Sequence, residues 1–149
     1  MPLRELVSIL QLAVIPVILI SGVGLLLLSL TNRFGRVVDR SRLLLTALRS
    51  ATEADRKVIL SEIEILSTRA LIVRQAIAFA TVSVLFATVL VITLFVAAVL
   101  QWETGIVVVT LFICCMLSLI GSLVAFLRDI NLSMAALRLE LAKKNDRAA

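Results

Sequence analysis

The chain has no histidine and no tyrosine, and it has only two cysteines and two prolines in 149 residues. It contains no H-E-x-x-H metal motif, no G-x-x-x-x-G-K phosphate loop and no G-x-S-x-G nucleophile elbow. With no histidine, the two cysteines lack partners for a zinc site, so we expect no metal and no cofactor. We also predict that the protein is not an enzyme, because few carboxylates are placed for acid–base work. The plausible ones are Asp39, Glu62, Glu64 and Asp129.

Charged residues are absent from three long stretches, residues 6–30, 75–102 and 104–127. As helices they would each be at least about 36 Å long, at 1.5 Å per residue. The hydrocarbon core of a bilayer is about 30 Å thick. The sequence therefore predicts an all-α membrane protein in which three transmembrane helices extend into a cytoplasmic helical bundle.

The segment between the first two spans has no proline, one glycine, and apolar residues at helical spacing. Thr52 and Asp55 resemble a capping box, so we predict helices up to about Ser50 and again from about Glu53. We expect a single domain over 1–149. Its predicted parts are transmembrane helices at 6–31, 75–101 and 105–127, a cytoplasmic helical hairpin at 32–74, a short external link at 102–104, and a C-terminal helix and tail at 128–149.

The net charge of +5 is distributed unevenly. Residues 32–74 contain nine arginines and lysines, and the tail after Leu127 contains five, whereas the link at 102–104 has none. Basic residues flank spans on the cytoplasmic side, so we predict an external N-terminus and a cytoplasmic C-terminus, with Trp102 as an anchor at the outer interface. We predict no nucleic-acid partner, because there is no separate basic domain.

Two blocks place polar residues at fixed points in an apolar background. They are ISGVGLLLLSLTNRFGRVVDRSR, from Ile20 to Arg42, and GSLVAFLRDINLS, from Gly121 to Ser133. Both resemble the signature of a bacterial membrane-protein family that is catalogued as a domain of unknown function, number twenty-seven twenty-one. The resemblance extends over nearly the whole chain. It implies a bacterial, three-span protein and no established activity. We expect the protein to lie in the bacterial inner (cell) membrane.

The first span carries a line of polar and small residues at heptad-like spacing. The candidates are Ser8, Gln11, Gly22, Ser29 and Asn32. One interpretation is a packing face, because polar groups in lipid turn toward the bundle interior and small residues allow close helix approach. The other is the lining of a pore in an oligomer, which Gln11 favours because a buried amide in a membrane needs a partner or water.

Span three carries a small-residue face that predicts close packing against another helix. Its members are Cys114, Ser118, Gly121 and Ser122. Just beyond the spans, we predict ion pairs in which Arg128 and Asp129 meet Asp39 and either Arg40 or Arg36. The alternative is that Arg128 anchors to headgroups and Asp129 is solvated. If the pairs exist, Asp39→Ala and Asp129→Ala destabilise the protein more than Glu53→Ala does.

The hairpin is more apolar than a single water-exposed helical stripe requires. The surplus side chains are Leu43, Ala47, Leu60, Ile65, Leu71 and Ile72. They predict a homo-oligomer with a structural or accessory role, acting through its cytoplasmic helices and with room for an unidentified protein partner. The other interpretation of these side chains is that they lie along the lipid interface. The alternative is a small oligomeric channel or transport protein whose first span lines the pore.

Overall fold

A computed structural model describes the backbone of residues 3–101 and 104–146. Side chains are described from Val7 to Met134, with gaps at residues 9, 12, 54, 102 and 103. The anchor predicted at Trp102 lies outside the described residues, as do the side chains of the predicted C-terminal helix beyond Met134.

Three long helices make up the described chain: α1 (Leu3–Leu48), α2 (Glu53–Leu100) and α3 (Gly105–Asp146). They contain 46, 48 and 42 residues. Each includes a segment that is long and apolar enough to cross a membrane. The described residues form no strand. The prediction of an all-α membrane protein with a helical hairpin between its first two spans is confirmed.

The hairpin turn lies where the sequence predicted it. At the end of α1, the backbone N–H groups of Arg49 and Ser50 donate to the carbonyls three residues earlier, at 3.2 Å each, which tightens the last turn. α2 starts when Arg56 donates its N–H to the Thr52 carbonyl at 2.9 Å. The Thr52 hydroxyl also donates to the Asp55 carboxylate at 2.8 Å, so the two residues of the predicted capping box contact each other through their side chains. Glu53 and Asp55 place negative charge in the first turn, where the helix dipole favours it.

At its other end α2 stops at Leu100, one residue before the predicted end of the second span. Gln101 has a φ of 52°, a left-handed conformation that commonly ends a helix. In a residue other than glycine this costs about 1–2 kcal/mol. α3 begins with the hydrogen bond that the Val108 N–H donates to the Thr104 carbonyl at 3.1 Å.

The chain divides into two compact units, which we name by their sequence content. The span unit contains α1 up to Ser29 together with Ile77–Ser122. The hairpin unit contains Leu30–Ala76 and the chain from Leu123 onward. The prediction of a single domain stays a prediction.

Small side chains fill the interior of the span unit. The buried residues are Ala13 and Val23 on α1, Ala80, Ser83, Ala87 and Leu90 on α2, and Cys115 and Ser122 on α3. The α2 members recur at spacings of three, four and three, which keeps them on one face. The small size of Ala80, Ser83 and Ala87 lets the helix backbones approach closely, which favours packing inside a bilayer. Large aliphatic side chains cover the outside, and Ile106 is 85% exposed.

Two side chains join α2 to α3 in the middle of that interior. The Ser83 hydroxyl donates to the Cys115 carbonyl at 3.0 Å, and the Cys115 thiol donates to the Ser83 carbonyl at 3.3 Å. Close by in sequence, Gly121 faces the ring of Phe79, whose nearest carbons lie 3.5 Å from the point where a Cβ would stand. The contact between Ser83 and Cys115 buries the hydroxyl and the thiol with their hydrogen bonds satisfied.

The small-residue face predicted on α3 is rotated from the buried one. Ser122 is fully buried, but Cys114, Ser118 and Gly121 are only half-buried, and the buried cysteine is Cys115. Cys115 and Ser122 are seven residues apart, so they share a helix face, whereas Cys114 lies about 100° away from Cys115. Small residues on both faces left the rotation of α3 undetermined by sequence.

The polar line predicted on α1 is not buried within the chain. Its members, Ser8, Gln11, Gly22, Ser29 and Asn32, are all exposed. The inward face of α1 carries apolar residues instead, namely Ala13, Val23, Leu30 and Val37. A packing role for the polar line therefore requires something other than this chain's own helices.

Candidate functional site

A cluster of charged side chains occupies the interior of the hairpin unit. Arg33 follows buried Leu30 by three residues and Arg69 follows buried Leu66 by three, so each sits at an inward position of its helix. Asp129 stands seven residues after buried Ser122, on the same face of α3. Each helix thus contributes a charged side chain where an apolar one would ordinarily stand.

Asp129 is the centre of this cluster. Its side chain is 1% exposed, and its two oxygens bind different arginines. Arg33 Nη1 donates to Oδ2 at 3.1 Å, and Arg69 Nε reaches Oδ1 at 3.5 Å. The arginine side chains are 34% and 25% exposed, so they reach from the interior toward solvent. One carboxylate from α3 therefore joins both other helices.

Two further contacts hold the arginines in place. Arg69 Nη2 donates to the Ser133 hydroxyl at 2.6 Å, and that hydroxyl donates to the Asp129 backbone carbonyl at 2.9 Å. The guanidinium carbon of Arg33 lies 5.0 Å from the centre of the Phe126 ring, within cation–π range. Ser133 and Phe126 both lie on α3, so this helix supplies the acceptors and the ring that orient the cations from α1 and α2.

A cavity of about 380 Å³ adjoins the cluster. Arg33, Arg36 and Arg40 line it from one face of α1, because spacings of three and four keep side chains together. Arg69 lines it from α2, and Asp129 lines it from α3. Four guanidiniums and one carboxylate therefore surround the space. The remaining lining residues are Val37, Leu66, Ile130, Ser133 and Met134.

A third ion pair involves Arg40, which lines the same cavity. Arg40 holds Oε1 of Glu62 with two nitrogens, Nη2 at 2.6 Å and Nε at 3.2 Å. The Arg40 side chain is mostly exposed, so water weakens this pair. It joins α1 to α2 within the hairpin.

The partners of these charges differ from the predicted ones. Asp129 binds Arg33 and Arg69 rather than Arg36 or Arg40, and it is buried rather than solvated. Arg40 binds Glu62. Asp39, Arg36 and Arg128 are exposed, and none of the three forms an ion pair with another described residue.

Helix geometry explains this difference. Adjacent residues on a helix point about 100° apart, so when Asp129 faces inward, Arg128 faces out. On α1 the inward positions are Leu30, Arg33 and Val37, which turns Asp39 outward. The sequence signal that marks Asp129 is its position seven residues after Ser122, which itself stands seven residues after Cys115. Arg33 and Arg69 each stand three residues after a leucine that the structure buries.

Among the described residues no group of histidine, cysteine, aspartate and glutamate is arranged to hold a metal ion. Of the carboxylates considered for catalysis, Asp129 and Glu62 are both engaged by arginine. Glu64 and Asp39 are exposed on different helices.

Comparison with known families identifies the family of the chain but no activity. Residues 13–139 match the profile of a family described as Protein of unknown function (DUF2721). The chain belongs to this family. The match covers the whole charged cluster of the DUF2721 protein and its adjoining cavity. Neither a curated protein nor a solved structure matches the chain.

Proposed function

We propose that this DUF2721 protein is a homo-oligomeric membrane protein with a structural or accessory role, and that it acts through the helices beyond its spans. Its place is the bacterial inner membrane, with the N-terminus outside and the hairpin and C-terminus in the cytoplasm. The charge asymmetry between residues 32–74 and the link at 102–104 supports this orientation.

One observation carries the proposal, which is the exposure of large aliphatic side chains in the hairpin unit. They belong to a segment with nine arginines and lysines, so the hydrocarbon core does not cover them all. Within residues 32–74 the exposed set is Leu43, Leu45, Val58, Leu60, Ile65 and Leu71, with Leu43 at 72%. Soluble surfaces rarely leave so many aliphatic side chains in water, and a second copy would cover them.

The oligomeric state of the full-length protein in a mild detergent tests this proposal. We expect light scattering coupled to size-exclusion chromatography to report a complex of several copies. Leu43→Gln or Ile65→Gln should shift the complex toward monomer, whereas Ser67→Gln, at an exposed polar position on α2, should not. A wild-type protein that is monomeric in detergent and in lipid nanodiscs would contradict the proposal.

Orientation is tested separately. A reporter that works in the cytoplasm should be active when it is fused to the C-terminus. A reporter that works only on the external side should be inactive there. Activity of a reporter that requires the external side would reverse the assignment without affecting the oligomer.

The alternative function is a small oligomeric channel or transport protein, and it is favoured by the exposed polar line on α1. Gln11 and its neighbours on the line face away from the chain's own core, and in an oligomer they would suit a central axis. Ion flux into liposomes containing the purified protein tests it. A flux that Gln11→Leu abolishes and Thr110→Leu, at an exposed position on α3, leaves intact would favour the channel over the accessory role.

A further inference from the structure

We propose that the cavity of the hairpin unit is a binding site for a phosphate ester. The ligand is defined by its chemistry, a phosphate ester with a net negative charge, attached to an apolar or organic group. The headgroup of an anionic phospholipid and a soluble phosphate ester both have this chemistry. The proposal is independent of the oligomeric role and stands on charge, donor geometry and position along the helices.

The charge lining the cavity is strongly positive. Four guanidiniums surround the space, and among the described residues that line it Asp129 is the only carboxylate. Glu62 compensates Arg40 from outside that lining. Because Arg33 and Arg69 share one carboxylate, that of Asp129, the cavity keeps an excess of positive charge that an anion would neutralise.

The arginines keep donors for such an anion. A guanidinium has five N–H groups in a planar fork. Arg33 uses Nη1 on Asp129, and Arg69 uses Nε and Nη2 on Asp129 and Ser133, which fixes both planes and leaves other N–H groups available. Arg36 forms no ion pair with any described residue, and its side chain lines the cavity. Fixed arginine forks match phosphate oxygens better than lysine does.

Asp129 has a positioning role in this arrangement. It relieves the repulsion between Arg33 and Arg69 and holds them at the cavity wall. Its single negative charge is offset by the two guanidiniums that its oxygens bind, so these three residues together keep a positive charge. A carboxylate that would otherwise oppose anion binding instead prepares the cations for it.

The position along the helices suits a lipid phosphate. Arg33 lies three residues after the charge-free segment 6–30, and Asp129 lies two residues after the segment 104–127. At 1.5 Å per residue these offsets are about 3–5 Å. The polar layer of a bilayer extends about 5–7 Å beyond each side of the hydrocarbon core. Basic pockets between helices at this depth are typical of headgroup sites, and the apolar part of the lining suits the start of an acyl chain.

Thermal unfolding of the delipidated full-length protein in a neutral detergent tests the proposal. One arm adds phosphatidylglycerol, with phosphatidylcholine as the control lipid. The other arm adds glycerol 3-phosphate, with sodium chloride at the same ionic strength as its control. At a ligand concentration of about 100 times the Kd, we expect the Tm of the wild type to rise by roughly 5 °C in the arm whose ligand the site binds.

The decisive variant is Arg36→Gln, because Arg36 is exposed and takes no part in the Asp129 cluster, so the fold should survive. We expect it to weaken binding about tenfold, as loss of one charge-assisted contact does. Arg42→Gln on α1 and Arg128→Gln on α3 remove the same charge from exposed positions that do not line the cavity. Because salt screens charges at exposed positions, these two variants should change binding by less than about twofold.

The outcomes separate cleanly. A shift with phosphatidylglycerol that depends on Arg36 identifies a lipid site, and a shift with glycerol 3-phosphate that depends on Arg36 identifies a soluble ester. If Arg42→Gln or Arg128→Gln weakens binding as much as Arg36→Gln does, the attraction is diffuse surface charge and the site does not exist. The proposal is also overturned if neither arm raises the Tm of the wild type above its control.

Discussion

In the span unit small side chains join α2 to α3, whereas in the hairpin unit a buried carboxylate joins α3 to both other helices. The first interior depends on Ser83 and Cys115, because the hydroxyl and the thiol each donate a hydrogen bond to the backbone carbonyl of the other residue. The second depends on Asp129 and two arginines that reach toward solvent. We attribute the difference to the surroundings that suit each unit, which are lipid for the apolar segments and a polar medium for the charged ones. Lipid offers no hydrophobic driving force between helices, so close backbone approach and hydrogen bonds hold them. Outside lipid, long arginine side chains can serve an interior carboxylate while their ends stay hydrated.

The largest expected effect comes from removing the carboxylate of the hairpin unit. Asp129→Ala deprives Arg33 and Arg69 of their shared acceptor, and we expect a loss of about 2–3 kcal/mol in the free energy of unfolding. The partial exposure of both arginines keeps the loss below that of a fully buried pair. Unfolding by titration with denaturing detergent in mixed micelles measures it.

Asp39→Ala and Glu53→Ala are the matched controls. Both carboxylates are exposed and form no ion pair with a described residue, so each variant should stay within about 0.5 kcal/mol of the wild type. This revises the expectation from sequence, which grouped Asp39 with Asp129. An Asp129→Ala protein as stable as these two would show that the cluster does not hold the hairpin unit together.

The next largest effect is expected in the span unit, where space rather than charge is limiting. Ser83→Leu inserts a large side chain between α2 and α3 at a fully buried position, and we expect a loss of about 2 kcal/mol. Thr81→Leu places the same side chain at an exposed position of the same helix and should be nearly neutral. Equal unfolding curves for the two variants would mean that the helices do not pack closely at Ser83.

A smaller effect is expected from Arg69→Lys, which keeps the charge and removes the fork. A lysine ammonium cannot bridge the Asp129 carboxylate and the Ser133 hydroxyl from two fixed nitrogens. We expect a loss of about 1 kcal/mol, close to the value of one hydrogen bond. Arg74→Lys, at an exposed position one turn later on α2, is the control, and a loss at Arg74 equal to that at Arg69 would contradict the role of the fork.

The smallest effect is expected from Gly121→Ala. The added methyl would meet the Phe79 ring at 3.5 Å, an ordinary contact distance, and alanine favours the helix. We expect a change between zero and about 1 kcal/mol in the stabilising direction. A loss of more than 1 kcal/mol would show that the helices approach each other at Gly121 more closely than the Phe79 contact indicates.

Much of the fold could be predicted from the sequence, and less of the site. The turn between α1 and α2 was placed correctly because Thr52, Glu53 and Asp55 form a local start signal. Asp129 was predicted to be a member of an ion pair, but its partners were predicted as Arg36 or Arg40. Arg33 and Arg36 are three residues apart, so they point within about 60° of each other, and spacing alone does not choose between them.

Local patterns in the sequence determined the three helices, their apolar segments and the hairpin turn, because charge, proline and capping residues act over a few neighbouring positions. Only the tertiary structure decided which face of each helix turns inward. In the apolar segments nearly every side chain is compatible with both lipid and protein, so no hydrophobic stripe specifies the rotation. That rotation left Gln11 exposed, buried Cys115 in place of Cys114, and brought Arg33 and Arg69 together on Asp129.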